Sequence, residues 1–280
     1  MPTSFRFAVD SFRVRIPDRG VTHTFVYTNV GPWAIHVLDV RLNQCFSAVA
    51  AKGVGSAVGR IKTSELMMRL ERERQDVVGG VNADFFSLAN GVPTNALVTR
   101  GRVLSPPSMQ PVFAMDSAGK PHIDMFEVKG GGSFVVDDSA LARASLAPFH
   151  PMEAVGGRPR LLRDSAIVSE VDTEGQPGFA TGRHPRTAIG IADNGRRLLL
   201  VVVDGRRAGY SSGMTLRELA MLMQSLGARD ALNLDGGGST TMVVENPTTR
   251  KLEIVNRPSD PLGERTVGDA LAIVRGCRKR

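Results

Sequence analysis

The last hundred residues carry the pattern that most restricts the fold. Residues 197–204 (RLLLVVVD) form an apolar, β-branched run of strand length, and residues 231–235 (ALNLD) form another. Between them, Thr215 and Glu218 match a capping box, and the amphipathic helix that they begin stops at Gly227. This order of strand, helix and strand predicts a crossover unit whose polar strand ends collect at one edge of a sheet.

Weaker patterns precede this unit. Residues 33–51 alternate and contain β-branched side chains, which predicts strands that pair early in the fold. Residues 63–74 begin with capping residues and predict a helix, and residues 77–81 predict a strand. Residues 100–182 are rich in Gly, Pro and short β-like runs, which indicates hairpins and surface loops. Within them, residues 170–182 (EVDTEGQPGFATG) form a candidate flap beside a site.

Length and composition predict one sizeable hydrophobic core. The chain has 280 residues, of which 42% are hydrophobic, and we expect a single domain over residues 1–280. The fold class is α+β (mixed α/β), with a mixed β-sheet whose polar strand ends form a cleft at one edge. We expect the N-terminal and C-terminal strands to be neighbours.

The charge and the hydrophobic pattern of the chain limit the classes of partner that it can bind. The formal net charge is +7, but the chain has no basic helix and few aromatic residues, which argues against nucleic acid. Attraction to anionic sugars or phosphates explains the charge equally well. No apolar run reaches about 18 residues, so we expect no membrane-spanning segment. The N-terminus MPTSFRFAVDSF lacks signal-peptide features, and localisation stays open. Cys45 and Cys277 are too few for a zinc site and allow either a disulfide or two free thiols.

Polar side chains end three of the predicted strands. Alternation places Asn233 and Asp235 on one face of their strand, and it does the same for Asn82 and Asp84. Asp204 ends another apolar strand. Each motif alone is typical of an Asx turn. Together they predict a cleft lined by carboxylates.

Three glycines and two hydroxyl residues follow Asp235. Gly236, Gly237 and Gly238 let backbone amides approach an anion or a sugar, and Ser239 and Thr240 add hydroxyl donors. The loop fits neither the dinucleotide-binding motif nor the P-loop. A tight turn explains the glycines equally well.

Two further motifs are candidates for chemistry. Residues 209–213 (GYSSG) match a nucleophile elbow around Ser211, but all five histidines precede the serine, which argues against an esterase. Arg186, in HPRTAIG, offers a planar fork to a phosphate or carboxylate, with a structural ion pair as the alternative.

The motifs occur together in an order that resembles the phosphodiester glycosidases, the family of N-acetylglucosamine-1-phosphodiester alpha-N-acetylglucosaminidase. The resemblance covers roughly residues 30–275. It rests on NADFF (82–86), GGRP (156–159), HPRTAIG (184–190), VDGR (203–206), SGMTLRELA (212–220) and ALNLDGGGSTT (231–241). One departure is Asn82-Ala-Asp84, where many relatives have Asn-Gly-Gly, and this puts Asp84 in doubt as a shared catalytic residue.

The resemblance implies hydrolysis of the bond between an anomeric carbon and a phosphate oxygen, in an N-acetylglucosamine-like 1-phosphodiester of glycan or cell-surface polysaccharide metabolism. It implies catalytic roles for Asp235, Asp204 and Arg186, without deciding which carboxylate is nucleophile or base. The substrate-binding set that it implies contains Asn82, Asp84, Arg206, Asn233, Gly236, Gly237, Gly238, Ser239 and Thr240.

The same resemblance favours an extracytoplasmic location and a phosphorylated sugar or polysaccharide as the partner. No cofactor is required by the sequence, although the carboxylates leave a divalent metal open. Two other functions fit the same residues: a polysaccharide-binding module without turnover, and a metal-dependent phosphodiesterase that cuts phosphorus from oxygen. Neither the sugar nor the oligomeric state follows from the sequence.

Overall fold

A computed structural model describes residues 8–42, 45–53, 59–73, 75–129, 133–137 and 148–276. The first half contains β1 (Ser11–Asp18), β2 (Val21–Thr28), β3 (Trp33–Arg41), β4 (Phe46–Lys52), β5 (Ile61–Lys62), α1 (Thr63–Arg72), β6 (Asp76–Asn82), β7 (Leu97–Thr99), β8 (Arg102–Ser105), β9 (Pro111–Asp116), β10 (Pro121–Lys129) and β11 (Ser133–Asp137). The second half contains β12 (Pro148–Phe149), β13 (Pro151–Gly156), β14 (Arg160–Arg163), β15 (Ala166–Ile167), β16 (Arg186–Ala192), β17 (Arg197–Val203), α2 (Leu216–Ser225), β18 (Asp230–Leu234), β19 (Met242–Glu245), β20 (Leu252–Ile254), β21 (Thr266–Val267) and β22 (Asp269–Arg275).

The strands form four sheets in the described part of the chain. The largest has eight strands in the order β1-β2-β3-β17-β16-β18-β14-β15. A five-stranded sheet has the order β20-β19-β6-β22-β4, and a seven-stranded sheet has the order β12-β11-β10-β9-β13-β7-β8. The fourth is the pair β21-β5. The fold is therefore mostly sheet, with two α-helices in the same residues.

The predicted crossover unit is confirmed. Strand β16 pairs antiparallel with both β17 and β18, so β17 and β18 run in the same direction with one strand between them. Helix α2 connects them, and Thr215 and Glu218 make both hydrogen bonds of the capping box. Gly227 follows the helix with φ +86°, a conformation that favours glycine.

Hydrophobic clusters define a layered packing. Alternate residues of β17 enter different cores: Leu198 and Leu200 join the cluster that faces β6 and β22, whereas Leu199 and Val201 join the cluster under α2. Helix α1 covers the other face of the five-stranded sheet. The order of layers is therefore α2, eight-stranded sheet, five-stranded sheet and α1, and the strands between the helices are apolar on both faces.

The predicted early helix is confirmed, with one correction at its N-terminus. The early helix is α1, and Leu66, Met67 and Leu70 are buried as its apolar face requires. Its N-cap is Lys62, without a side-chain cap, so the prediction of capping residues there is wrong. Ser64 instead bonds through its amide and hydroxyl to Glu264.

The expected sheet arrangement needs correction. Instead of one mixed sheet, the described strands form separate sheets in which neighbours pair antiparallel. The first and last strands are not neighbours: β1 lies at the edge of the eight-stranded sheet, whereas β22 lies between β6 and β4. The residues 33–51 form β3 and β4, which belong to different sheets. A strand that is buried along its whole length, such as β22, needs cover on both faces. Strand β1 needs only its hairpin partner β2 and can therefore lie at a sheet edge.

The structure also describes one of the two cysteines and the lengths of the helices. Cys45 is disulfide-bonded, so the free-thiol alternative is wrong for this residue, while Cys277 lies outside the described residues. No helix in the described ranges has the length and apolar character needed to cross a bilayer.

Candidate functional site

Strand ends from both central sheets meet at one place. The end of β17 pairs with the start of β16 (Val203 with Arg186), and the end of β18 pairs with Thr187. Asn82, the last residue of β6, donates through Nδ2 to the carbonyl oxygen of Asp235 at 2.6 Å. Its Oδ1 accepts from the Thr187 hydroxyl at 2.9 Å and from the Thr241 amide at 3.1 Å.

The position of Asn82 corrects its predicted role. Its side chain is fully buried, and both of its polar atoms are bonded to the protein. A fully buried amide that is bonded in this way is not exposed to a sugar hydroxyl. Asn82 therefore joins the two sheets and holds the Asp235 backbone in place.

A pocket of about 420 Å³ opens beside this junction. Asp235 is the carboxylate residue among the described residues that line it, and the glycine loop forms another part of its wall. The predicted flap also contributes, through Gln176 to Phe179. The complete lining is Phe85, Gln176, Pro177, Gly178, Phe179, His184, Pro185, Arg186, Arg206, Asp235, Gly236, Gly237, Gly238 and Arg265.

Asp235 is held by backbone contacts. Its amide donates to the Ala83 carbonyl at 2.8 Å, and its Oδ1 accepts from the Gly236 amide at 2.9 Å. Burial raises the pKa of the Asp235 carboxyl to about 6. The carboxylate is thus ionised at neutral pH, yet it is a stronger base than an aspartate in water.

The glycine loop brings two guanidinium groups to the pocket. Gly237 has φ +61°, and its amide donates to the Pro185 carbonyl at 2.9 Å. A Cβ atom on Gly237 would stand 3.2 Å from Nη1 of Arg206, and one on Gly238 would stand 2.5 Å from Cζ of Arg265. The absence of side chains on this loop therefore lets both cations lie against its backbone.

Arg186 lines the pocket, and much of its guanidinium is bonded within the protein. It is buried, and its Nε donates to the Met214 carbonyl at 2.8 Å, while its Nη2 donates to the carbonyls of Phe179 at 2.6 Å and Gly182 at 3.1 Å. Burial lowers the pKa of this guanidinium to about 10. These contacts fix the flap. Arg206 is exposed and Arg265 is partly exposed, although Nε of Arg265 is paired with Asp260 at 2.9 Å, so both are more accessible to an anion than the buried Arg186.

Two further carboxylates lie close to Asp235. Asp84 and Asp269 are buried, and the Asp84 amide donates to Oδ1 of Asp269 at 2.8 Å. Burial raises the pKa of both, that of Asp269 to about 7, and the negative charge of Asp235 raises them further. Oδ1 of Asp84 and Oδ2 of Asp269 are buried without a hydrogen-bond partner in the described structure. Asp84 thus belongs to this cluster, although it does not line the pocket.

The sequence patterns did not reveal Asp269 and Arg265. Asp269 begins β22, and β22 runs antiparallel to β6, so its first residues lie beside Asn82. The predicted carboxylates all follow apolar strands. Asp269 instead precedes an apolar strand, in the sequence GDALAIV, and a search for carboxylates at strand starts would have identified it. Arg265 lies outside any such pattern.

The environment of Asp204 differs from the one that its predicted catalytic role requires. Its carboxylate is 1% exposed and accepts from Asn256 Nδ2 at 3.0 Å, the Arg257 amide at 3.0 Å and the Tyr210 hydroxyl at 3.2 Å. It does not line the Asp235 pocket. Because its lone pairs are used within the protein, Asp204 fixes the segment around Asn256 and has no free access to a substrate.

The remaining predicted residues lie around this arrangement. Arg206 is exposed, and its Nη2 lies 3.3 Å from Nδ1 of His184. Asn233 is buried and donates to the Arg158 carbonyl at 2.6 Å. Ser239 and Thr240 are buried behind the glycine loop, at 0% and 1% exposure, which corrects their predicted contact with a ligand.

The serine of the GYSSG motif and the arrangement of possible metal ligands can also be described. The Ser211 hydroxyl is buried, donates to the Asp204 carbonyl at 2.5 Å and accepts from the Ala34 amide at 3.1 Å, so it is not presented as a nucleophile. No group of three or more His, Cys, Asp or Glu side chains in the described ranges is arranged to hold a metal ion.

Solved structures share the fold. A hypothetical protein from Synechocystis aligns with a TM-score of 0.65 at 17% identity, over 91% of this chain and 62% of that chain. A putative exported protein from Burkholderia pseudomallei K96243 aligns with a TM-score of 0.61 at 20% identity, over 87% of this chain and 74% of that one. The catalytic domain of zebrafish N-acetylglucosamine-1-phosphodiester alpha-N-acetylglucosaminidase, auto-inhibited by its pro-peptide, aligns with a TM-score of 0.63 at 20% identity, over 96% and 84% of the two chains.

Sequence comparisons carry the family assignment. An SPbeta prophage-derived uncharacterized protein, YomE, from Bacillus subtilis (strain 168) is 41% identical over 91 residues, which are 32% of this chain and 13% of that protein. The chain thus spans less than two thirds of the length of this relative and of the Synechocystis protein. The family model described as phosphodiester glycosidase matches residues 75–274, which is more than half of the chain. The chain therefore belongs to the phosphodiester glycosidase family.

Proposed function

We propose that this protein hydrolyses an N-acetylglucosamine-like sugar 1-phosphodiester at the bond between the anomeric carbon and the phosphate oxygen. The observation that carries the proposal is the pocket itself, in which Asp235 lies beside a glycine loop that is covered by Arg206 and Arg265. A carboxylate suits an oxocarbenium-like transition state, and the two guanidinium groups suit a departing phosphate.

The proposed reaction assigns one role to each side of the pocket. The anomeric carbon loses its bond to the phosphate oxygen and gains a bond to the oxygen of water, and the phosphate monoester leaves with the bonding electron pair. Asp235 either accepts the proton of the attacking water or first bonds to the anomeric carbon as nucleophile. Arg206 and Arg265 stabilise the charge on the departing phosphate, which reduces the need for a strong general acid.

The buried carboxylates behind Asp235 are assigned a positioning role. The raised pKa of Asp269 means that the Asp84–Asp269 pair carries a proton near neutral pH, so the pair does not place two full negative charges beside Asp235. Asn82 and Asp204 are positioning residues as well, because their polar atoms are bonded to the protein.

The biological setting forms part of the same proposal. We infer a single catalytic domain over residues 1–280 that acts on phosphorylated glycans or cell-surface polysaccharides outside the cytoplasm. The substrate class is supported by the structural likeness to the zebrafish protein, an N-acetylglucosamine-1-phosphodiester alpha-N-acetylglucosaminidase, together with membership of the same family.

Turnover of a soluble N-acetylglucosamine 1-phosphodiester by matched variants tests the proposal. Asp235→Asn removes the base with little change in shape, and we expect turnover to fall about a thousandfold while the fold stays intact. Asp204→Asn is the matched comparison, since it alters a buried carboxylate that does not line the pocket. Wild-type turnover in Asp235→Asn would remove Asp235 from the mechanism.

A further inference from the structure

A second pocket, of about 350 Å³, lies on the eight-stranded sheet near its β1 edge and shares no lining residue with the Asp235 pocket. We call it the aromatic groove. Its floor and walls include His23, Phe25, Tyr27, His36 and Tyr210.

Strand register places alternating side chains of three strands in this groove. Arg13 of β1 lies opposite Phe25 of β2, which lies opposite His36 of β3. In the next row, Arg15 lies opposite His23. Because alternate residues of paired strands share a face, these side chains form one continuous surface of aromatic and basic groups.

The rim of the groove is positively charged. Arg13, Arg15 and Arg257 line it, and no Asp or Glu appears among its described lining residues. Arg15 is paired with Glu253 at 3.0 Å, whereas Arg13 and Arg257 have no ion pair with a carboxylate in the described part of the chain. The Arg257 guanidinium lies over the ring of Tyr210 at 4.2 Å and extends the rim above the aromatic wall.

Two buried histidines form the floor, and Nε2 of His36 lies 3.7 Å from Oδ2 of Asp204. His23 Nε2 and His36 Nδ1 lie 3.2 Å apart, and both side chains are 3% exposed. Burial, followed by the neighbouring His36 and Arg15, lowers the pKa of His23 to about 3, so this ring is neutral. His23 Nδ1 is buried and has no hydrogen-bond partner in the described structure. Such an atom is usually satisfied by a bound water or a ligand hydroxyl.

We propose that the aromatic groove binds an anionic sugar unit of a glycan, whose acid group is a carboxylate or a phosphate. The aromatic rings offer apolar surface to the C–H face of a sugar, and Arg13 and Arg257 offer charge to its acid group. This site binds without reacting, so it does not depend on turnover at Asp235.

Calorimetric titration at low salt tests the groove with two acidic probes, tetragalacturonic acid for carboxylate and glucose 6-phosphate for phosphate. We expect at least one to bind, and the double variant Arg13→Gln/Arg257→Gln to bind it about tenfold more weakly, because two charged contacts are lost. Arg206→Gln, in the other pocket, is the matched control and should keep that affinity. Neutral maltotetraose should bind more weakly than the acidic probe.

Several results would overturn the assignment. They are absence of binding of both acidic probes, equal affinity in the double variant, and tighter binding of oligothymidylate than of either acidic probe. The double variant should hydrolyse the small soluble phosphodiester at the wild-type rate, since its substitutions lie outside the catalytic pocket. If wild-type protein binds an acidic probe in the groove but hydrolyses no phosphodiester, the proposed function fails and the groove assignment stands.

Discussion

At the residue scale, the two aspartates that follow strands β18 and β17 have different chemical surroundings. Asp235 faces the pocket, whereas Asp204 is enclosed by Asn256, the Arg257 amide and Tyr210. Sequence patterns alone make them equivalent because both follow an apolar strand. Only the tertiary contacts separate a carboxylate that can meet water and substrate from one that is bonded within the protein.

The pH dependence of turnover follows from Asp235. Its pKa is raised to about 6 by burial, and the proposed mechanism requires the ionised form. We therefore expect kcat/KM for the soluble phosphodiester to rise as the pH increases through about 6 and then to level off. A profile between pH 4 and 9, with Arg206→Gln as a control that lowers the plateau and keeps the midpoint near the same pH, measures this. A rate already at its plateau at about pH 4 would contradict the assignment of Asp235.

Asp269 predicts a pH effect on stability. Its folded pKa, raised by burial to about 7 from 3.8, means that the native state holds a proton that the unfolded state releases. The free energy of unfolding should therefore fall as the pH rises from about 4 to about 7. Asp269→Asn removes this loss and can still accept from the Asp84 amide, so we expect it to be more stable than wild type at pH 8, by on the order of 2 kcal/mol.

Urea denaturation at pH 4 and pH 8 checks the Asp269 prediction. The exposed Asp172→Asn is the control, because the hydrogen bond from Arg217 lowers the pKa of Asp172 and gives a pH dependence of the opposite sign. An Asp269→Asn protein that is less stable than wild type at pH 8 would show that the ionised carboxylate is stabilising.

At the element scale, sequence patterns succeed where a local signal determines the structure. The capping box and apolar face of α2, the apolar run of β17 and the short strand β18 were predictable because their residues interact with near neighbours. The order of strands within the sheets could not be predicted in this way. The position of β22 between β6 and β4 depends on packing between residues that are far apart in the chain. That placement brings Asp269 beside Asn82, which explains why the site was only partly predicted.

The capping box of α2 gives a stability prediction. Thr215→Ala removes the side-chain acceptor for the Glu218 amide, and we expect it to lower the free energy of unfolding by about 1 kcal/mol. Thr215→Ser keeps the hydroxyl and should stay close to wild type. Chemical denaturation of the three proteins measures the difference, and an unchanged Thr215→Ala protein would mean that the cap contributes nothing to α2.

At the scale of the whole molecule, the Asp235 pocket lies where two sheets meet. Asn82 links them through one bond to the Asp235 carbonyl, one to Thr187 and one to Thr241. The layered packing holds each sheet against its helix, and this side chain sets how the strand ends are aligned. Stability and the geometry of the pocket are therefore connected through one buried amide.

Replacing Asn82 tests this connection. Asn82→Ala leaves several buried polar groups unpaired, and we expect a loss of about 3 kcal/mol in the free energy of unfolding together with lower turnover. Asn233→Ala is the matched control, because within the described residues its side chain donates one hydrogen bond, to the Arg158 carbonyl, and its loss should be about 1 kcal/mol. Equal losses in the two variants would show that Asn82 has no special role in joining the sheets.

The central claim is that water attacks carbon, and the position of an isotope label tests it most directly. Hydrolysis of an N-acetylglucosamine 1-phosphodiester in ¹⁸O-enriched water, followed by mass spectrometry of both products, reports which bond breaks. A parallel reaction with chelator tests whether a metal takes part. We predict that the label appears at the anomeric position of the released sugar and that the phosphate monoester remains unlabelled. Label in the phosphate would contradict this claim and would identify a phosphodiesterase that cleaves phosphorus from oxygen.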